Sequence, residues 1–297
     1  MMIVSIIYDT SKIGERITHI QQLAIDWTIP EYSTSLSSVS NDEINAFLTQ
    51  TIEIPIERRI GKTDYIVADA TLTKPLFTRF TDFQLEKPYP YESTSDEFSF
   101  YLPTNPETGA KLEGNQPPGV WETLEKIDDG YVADFAFSTS DYFTPEELLA
   151  RIEPFDIEVL WMPLYMGEYD TFEEYGWSGS GNSQTLSYPW GLAGYREVSD
   201  DFQSGSLARV LDNDSVQESQ DIMLKNMNKL LNNHKSLAEQ LLGTQYLEER
   251  SQYLTENGFN VYGAVVTGPV KELLKLKDVE EFHSFYLGDM KPWNWDN

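Results

Sequence analysis

The sequence predicts an α+β fold, with two β-α-β units on a mixed β-sheet, packed helices and one long irregular loop. In the first unit, a β-prone run at residues 130–138 leads to a helix that begins at Pro145 and then to a second β-prone run at residues 157–162. The second unit repeats this order between residues 258 and 287. Parallel neighbours need a crossover connection that is usually a helix, so we expect units of the β-α-β type.

The first 90 residues are predicted to form a separate, smaller α+β region. Apolar residues recur at helical spacing over residues 13–26, and residues 40–50 are expected to form a shorter helix because they open with a capping-type sequence. Isoleucine at every second position, followed by a glycine turn, predicts a strand pair at residues 51–73. Pro55 lacks an N–H group, so it favours an edge position in that pair.

Residues 91–297 are predicted to form the larger domain. The chain is rich in Pro, Asn, Gly and Glu over residues 88–118, apart from a β-prone run at residues 98–102. Such a composition indicates an irregular connection, which places the domain boundary near residue 90.

Capping sequences and periodicity predict the remaining elements of this domain. Thr144, followed by Pro145 and Glu147, forms a capping box that starts the first helix. Residues 167–214 show no sustained period, so they are expected to form a long surface loop. Apolar residues then recur on one helical face over residues 216–242, and residues 244–256 are expected to form a further helix.

The charge of the chain limits its partners. Lys plus Arg number 21 against 49 Asp plus Glu, which gives a formal net charge of −28. Nucleic acid is excluded as a partner because phosphate backbones attract the opposite sign. The same field attracts a cationic peptide or a basic protein, although solubility alone is the simpler explanation of the charge. The absence of cysteine excludes disulfides, thiolate metal sites and a cysteine nucleophile.

No arrangement of residues in the sequence indicates an enzyme, a metal site or a cofactor site. His19, His234 and His283 lie far apart and lack the His-Glu-x-x-His spacing of zinc enzymes. The glycines at residues 178–183 match neither a phosphate loop nor a dinucleotide fingerprint. Neighbouring acidic residues are expected by chance in a chain with 49 Asp and Glu residues, so they do not indicate the paired carboxylates of a glycosidase. We therefore expect a non-catalytic protein without a cofactor.

Aromatic residues are the candidates for an interaction surface. An aromatic ring with a polar edge stacks on sugars and peptides and is common at interfaces. Core packing is the alternative interpretation for the two tryptophans that flank the glycine-rich part of the loop. The candidate residues are Tyr165, Trp177, Trp190, Trp293 and Trp295.

Several short blocks between residues 130 and 168 resemble a known family. They read GYVADFAFS at residues 130–138, FTPEELL at 143–149, DIEVLWMP at 156–163 and YMGE at 165–168. In this order they resemble the C-terminal domain of membrane-anchored anti-sigma factors of Gram-positive bacteria.

The end of the chain resembles the close of the same domain, from YGAVVTGP at residues 262–269 to the terminal Trp293-Asn294-Trp295. The resemblance covers roughly residues 120–297, while residues 1 to about 90 loosely resemble the membrane-proximal region of the family.

This resemblance implies an extracytoplasmic sensory domain that is not an enzyme. The implied signal is an unidentified signal of the cell envelope, and the net charge of the chain suits a cationic one. The implied partner is an extracytoplasmic-function sigma factor, held by a cytoplasmic segment that is absent from this chain, as is the membrane anchor. No segment of the chain approaches the roughly 20 apolar residues that span a bilayer. Residues 3–7 fit either an ordinary first strand or the end of a truncated anchor helix.

Two other functional classes remain open at the level of the sequence. A secreted or surface carbohydrate-binding module, or a wall-glycan enzyme, is suggested by the many acidic residues and the tryptophans. An interaction domain for a cationic peptide is suggested by the net charge, and its binding should weaken as salt is added.

Overall fold

The computed structural model describes residues 12–36, 41–44, 49–75, 82–86, 98–172, 177–180, 183–186 and 189–293. The domain boundary predicted near residue 90, residues 3–7 and Trp295 lie outside these ranges. The helices within them are α1 (Ile13–Thr28), α2 (Val120–Lys126), α3 (Pro145–Ile152), α4 (Val216–Leu242), α5 (Leu247–Asn257) and α6 (Val270–Leu273), which continues as a 3₁₀ turn at Leu274–Asp278. None of these helices is long and apolar enough to cross a membrane.

The described strands form two larger sheets and two hairpins. The first sheet contains β1 (Asn41–Ile44), β2 (Thr49–Ile60), β3 (Thr63–Pro75) and β4 (Asp82–Glu86), in that order, and we call it the N-terminal sheet. The five-stranded central sheet has the order β13-β5-β12-β6-β9, with β5 (Tyr131–Phe143), β6 (Glu158–Tyr165), β9 (Trp190–Ala193), β12 (Asn260–Pro269) and β13 (Phe282–Pro292). The hairpins are β7 (Trp177–Ser180) with β8 (Ser183–Leu186), and β10 (Arg196–Val198) with β11 (Gly205–Leu207).

The central sheet corrects the predicted sheet type. Every neighbouring pair of strands in it is antiparallel, so it is not the mixed sheet with adjacent parallel strands that the sequence predicts. The strands β5 and β6, joined through α3, do run in the same direction, but β12 lies between them. In the same way, β5 lies between β12 and β13, which are joined through α6.

The physical reason for this interleaving is the width of a helix. A helix with its side chains is about 10–12 Å wide and covers two strand spacings of about 4.8 Å each. A connection that skips one strand therefore leaves room for two helices side by side. The four strands of the two repeats have the order of a ferredoxin-like fold, with β9 added at one edge.

Helices cover one face of the central sheet and bury its main hydrophobic core. The helix α3 begins where the sequence predicts, because Thr144 accepts a hydrogen bond from the Glu147 backbone N–H and the Glu147 carboxylate accepts one from the Thr144 N–H. The other face is covered by the segment 98–112, whose apolar side chains pack on Trp161, Tyr165 and Tyr262.

The N-terminal sheet confirms the strand pair predicted at residues 51–73 and corrects the helix predicted at residues 40–50. Residues 41–44 instead form strand β1, because their backbone groups pair with β2. The edge position expected for Pro55 is wrong, because β2 is an inner strand of this sheet and Pro55 pairs with Asp69 of β3. On its other side Pro55 lies between the end of the β1 pairing and Glu57, which bridges to Ser33, so its missing N–H group leaves no β1 partner without a donor.

The long loop predicted at residues 167–214 contains more regular structure than its sequence indicates. It forms the β7–β8 hairpin, the central-sheet strand β9 and the β10–β11 hairpin. These strands have three or four residues each, too few for a periodic pattern to appear in the sequence.

Candidate functional site

The helix α1 lies between the N-terminal sheet and the central sheet and is buried almost all round. Ile17 and Ile25 pack with the core of the N-terminal sheet, whereas Leu23 and Trp27 pack with the main core. A helix that is buried on all sides connects two packed bodies instead of covering one. We call the contact region made by α1, β2 and the β2–β3 turn with the central sheet and its loops the joint, and it is the candidate functional site.

Asp26, near the end of α1, fixes this helix to the β9–β10 region. Its carboxylate accepts hydrogen bonds from Nε and Nη2 of Arg196 at 2.6 and 3.3 Å, and both side chains are buried. The same guanidinium donates to the Thr34 carbonyl at 2.5 Å. The Asp26 carbonyl accepts a hydrogen bond from Nε1 of Trp161, at 3.1 Å. The end of α1 is therefore held by both the side-chain carboxylate and the backbone carbonyl of Asp26.

Three consecutive residues of β2 form ion pairs across the joint. Arg58 lies against Asp134 of β5, with Nε and Nη2 each 2.6 Å from Oδ2, and its Nη1 lies 3.3 Å from Asp289 of β13. Arg59 donates to Glu158 of β6 at 2.8 Å. Glu57 pairs with Arg209, in the loop that leads to α4. Because these partners come from one edge strand of the central sheet, β13, from two inner strands, β5 and β6, and from the loop before α4, a displacement of β2 would break several pairs together.

Backbone hydrogen bonding closes the joint at the β2–β3 turn. The Gly61 N–H donates to Oγ1 of Thr267 at 2.6 Å, and this hydroxyl donates to the Ala133 carbonyl at 2.8 Å. Gly61 has a φ of 63°, and a Cβ atom at this position would lie 2.9 Å from a methyl group of Val132. Only glycine fits both the turn conformation and the close approach to the sheet.

Burial changes the pKa values of two groups near the joint. Desolvation raises the pKa of Asp134 from 3.8 to about 6, against the opposing effect of the Arg58 guanidinium. His19 of α1 is buried, and its pKa falls from 6.5 to about 3, mainly through desolvation and further through the charges of Arg196 and Lys229. The joint therefore contains an acid and a base whose charged forms are both disfavoured.

A cavity lies beside the Gly61 turn, between the two sheets. Ile60, Val132, Tyr65, Pro269 and Trp293 give it an apolar wall, and charged side chains lie at its mouth. The residues that complete its lining are Gly61, Lys62, Thr63, Asp156, Glu158, Thr267, Gly268 and Pro292.

The structure places the five aromatic candidates in different environments. Tyr165 and Trp190 are 5% and 1% exposed, and the Tyr165 hydroxyl, which has one proton to donate, lies 2.6 Å from both the Glu168 carbonyl and the Asp170 carboxylate. Trp177 lies in β7, Trp293 lines the cavity, and Trp295 is outside the described residues. The structure thus does not bring the described candidates together into one surface, and their role in interaction stays a prediction.

The charged residues of the joint were missed by sequence reasoning. Asp134 is the one charged residue in the run of aromatic and apolar residues at 131–137, and Asp26 stands next to Trp27 in a buried helix. A charge inside an apolar run is the signal that could have found them, since buried charges require partners. Within the described part of the chain, no group of three or more His, Asp or Glu side chains is placed to hold a metal ion.

Comparison with known proteins gives two matches to this chain. The family model described as Sigma factor regulator C-terminal matches residues 124–289. The probable anti-sigma-M factor YhdL of Bacillus subtilis (strain 168) is 22% identical over 286 residues, which covers 95% of this chain and 71% of that protein. No solved structure gives a significant match. The family match spans β5, β6, β12 and most of β13, and the longer alignment also includes most of the region that contains α1 and the N-terminal sheet.

Proposed function

Because the chain belongs to the sigma factor regulator C-terminal family, we propose that it is the extracytoplasmic regulatory part of a membrane-anchored anti-sigma factor. In this proposal it controls an extracytoplasmic-function sigma factor without catalysis. The observation that carries the proposal is the family match over residues 124–289, together with an alignment to an anti-sigma-M factor over 95% of the chain.

The proposed sigma factor is held by a cytoplasmic segment outside this chain, so the part described above acts at a distance. Such action requires two conformations and a ligand, or another signal, that favours one of them. The joint is suited to this role because it links α1 and the N-terminal sheet to the family-matched strands through buried charges. A buried ion pair tolerates little displacement, since separated charges in an apolar interior are costly.

We propose that the joint alternates between the closed arrangement seen here and one in which β2 has moved away from β5. The pairs Arg58–Asp134 and Arg59–Glu158 are made only in the closed arrangement. A signal molecule that binds the central sheet changes the position of α1 if the molecule has a higher affinity for one of the two arrangements. This gives a physical route from a sensed ligand towards the membrane side of the protein.

The experiment that tests the proposed function is deletion of the native gene, with transcription from the cognate sigma-dependent promoter as the readout. Deletion should raise this transcription, and the full-length native protein should restore the low level. A full-length protein that carries Arg58→Met tests the joint, and one that carries the exposed substitution Glu107→Gln is the control. If deletion leaves the transcription unchanged, the protein is not an anti-sigma factor.

A further inference from the structure

The cavity beside the Gly61 turn has the features of a small-ligand site. Its wall is apolar and includes two aromatic side chains, Tyr65 and Trp293, and its mouth is polar. Binding sites for small molecules combine an apolar wall with a few placed polar groups in this way. Nothing in the proposed function so far gives this cavity a role.

The charged side chains at the mouth of the cavity include both signs, and two of them have no ion-pair partner among the described residues. Glu158 accepts a hydrogen bond from Arg59 at 2.8 Å, so its carboxylate already has a cationic partner. Lys62 and Asp156 have no ion-pair partner among the residues that the structure describes, and both are exposed. The mouth therefore offers one ammonium group and one carboxylate to a ligand.

We propose that this cavity binds a zwitterionic ligand with a small aliphatic side chain, of the class of an apolar amino acid or a short peptide. The ligand carboxylate lies against Lys62, and the ligand ammonium group lies against Asp156. The aliphatic side chain enters the apolar part of the cavity, between Val132 and Trp293.

The size of the cavity limits the side chain. Its volume is about 60 Å³, whereas a cavity that takes benzene measures about 150 Å³. A branched aliphatic group of the size of the valine side chain is therefore favoured over an aromatic ring. Thr267 does not compete for the ligand, because its hydroxyl is occupied by Gly61 and the Ala133 carbonyl.

The cavity lies where a bound ligand would affect the equilibrium between the two arrangements of the joint. Lys62 belongs to the β2–β3 turn, whereas Asp156, Val132 and Trp293 belong to the central sheet region. A ligand that contacts both sides binds the closed arrangement of the joint more tightly than an open one, so it stabilises the closed state. The regulatory effect of binding rests on the proposed function, whereas binding itself does not, since it can be measured on the isolated chain.

The test is an NMR titration of the 297-residue chain that follows the Gly61 and Gly268 amide signals. Valine should shift both signals saturably and bind at least several-fold more tightly than phenylalanine. Two further probes each lack one charge: valine amide has no carboxylate, and N-acetylvaline has no ammonium group. They are used with the variants Lys62→Gln and Asp156→Asn, and with Glu107→Gln as a control that changes the net charge by the same amount as Asp156→Asn.

Each variant should affect only the probes that carry the matching charge. Asp156→Asn should weaken valine and valine amide about fivefold and leave N-acetylvaline unchanged, since an exposed ion pair contributes up to about this factor. Lys62→Gln should weaken valine and N-acetylvaline by a similar factor and leave valine amide unchanged. Trp293→Leu should weaken all three probes, and Glu107→Gln none of them.

Two results would overturn the inference. One is that valine shifts neither signal at millimolar concentration. The other is that Asp156→Asn and Glu107→Gln weaken the cationic probe equally, which would mean that the general negative charge of the protein attracts it. Either result leaves the gene-deletion experiment unaffected, and an unchanged promoter after deletion would in turn leave the binding measurements valid.

Discussion

Arg58 of β2 and Asp134 of β5 form a buried ion pair across the joint, with their side chains 3% and 1% exposed. The charges lie 76 residues apart in the chain and on different sheets. Asp289 lies on the other side of the guanidinium at 3.3 Å, so one cation serves two carboxylates. Such a pair stabilises a specific arrangement, because loss of one partner leaves a buried charge without compensation.

Replacement of Arg58 should destabilise the protein strongly. Arg58→Met leaves Asp134 buried without its cation, which typically costs about 3–5 kcal/mol in the free energy of unfolding. Urea denaturation measures this change. The control is Lys277→Met, which removes an exposed ion pair with Glu125 and should cost less than about 1 kcal/mol. The double variant Arg58→Met with Asp134→Leu should recover most of the loss. Equal costs for Arg58→Met and for the control Lys277→Met would show that the buried pair contributes no more to stability than an exposed one.

Asp134 should make the protein more stable in weak acid than at neutral pH. Its pKa in the folded protein is raised to about 6 from 3.8, so the folded state binds the proton more tightly than the unfolded state does. This contribution is present below pH 4 and is lost as the pH rises through 6. Between pH 5 and pH 7 it amounts to about 1 kcal/mol. Asp134→Asn should remove it, and identical pH dependence in the two proteins would contradict the assignment.

His19 should make the protein less stable in weak acid than at neutral pH, which is opposite to the effect of Asp134. Its pKa in the folded protein is lowered to about 3 from 6.5, so the unfolded state takes up the proton first as the pH falls. The stability that neutral His19 contributes is present above pH 6.5 and is lost progressively towards pH 3, with about 2 kcal/mol lost between pH 7 and pH 5. Urea denaturation of His19→Phe over this range should show a smaller loss of stability in acid. A loss as large as in the unaltered protein would mean that His19 is not buried as described.

The capping box of α3 should contribute measurably to stability. Thr144→Ala removes the hydroxyl that accepts the Glu147 N–H and should lower the free energy of unfolding by about 1 kcal/mol. A thermal melt measures this change. Thr144→Ser keeps the hydroxyl and serves as the control, so it should melt close to the unaltered protein. An unchanged melting temperature in the alanine variant would mean that the cap is not formed in solution.

Much of the local structure could be predicted from the sequence because it depends on local signals. The capping residues of α3 and the alternation of isoleucine in β2 specify those elements within a few residues. The family resemblance drawn from the blocks between residues 130 and 168 is confirmed by the match to residues 124–289. The helix expected at residues 40–50 was wrong because pairing with β2 outweighs a local helix-start signal there.

By itself the sequence determined an α+β chain, two repeats of strand, helix and strand, and membership of a sigma-regulator family. Only the tertiary structure decided how the two repeats interleave and which charges meet. Interleaving depends on packing two helices side by side on one sheet, and the pairs Arg58–Asp134 and Asp26–Arg196 join residues that are 76 and 170 positions apart. No periodic pattern carries such information, since the partner of a buried charge is set by the folded arrangement of distant strands and helices.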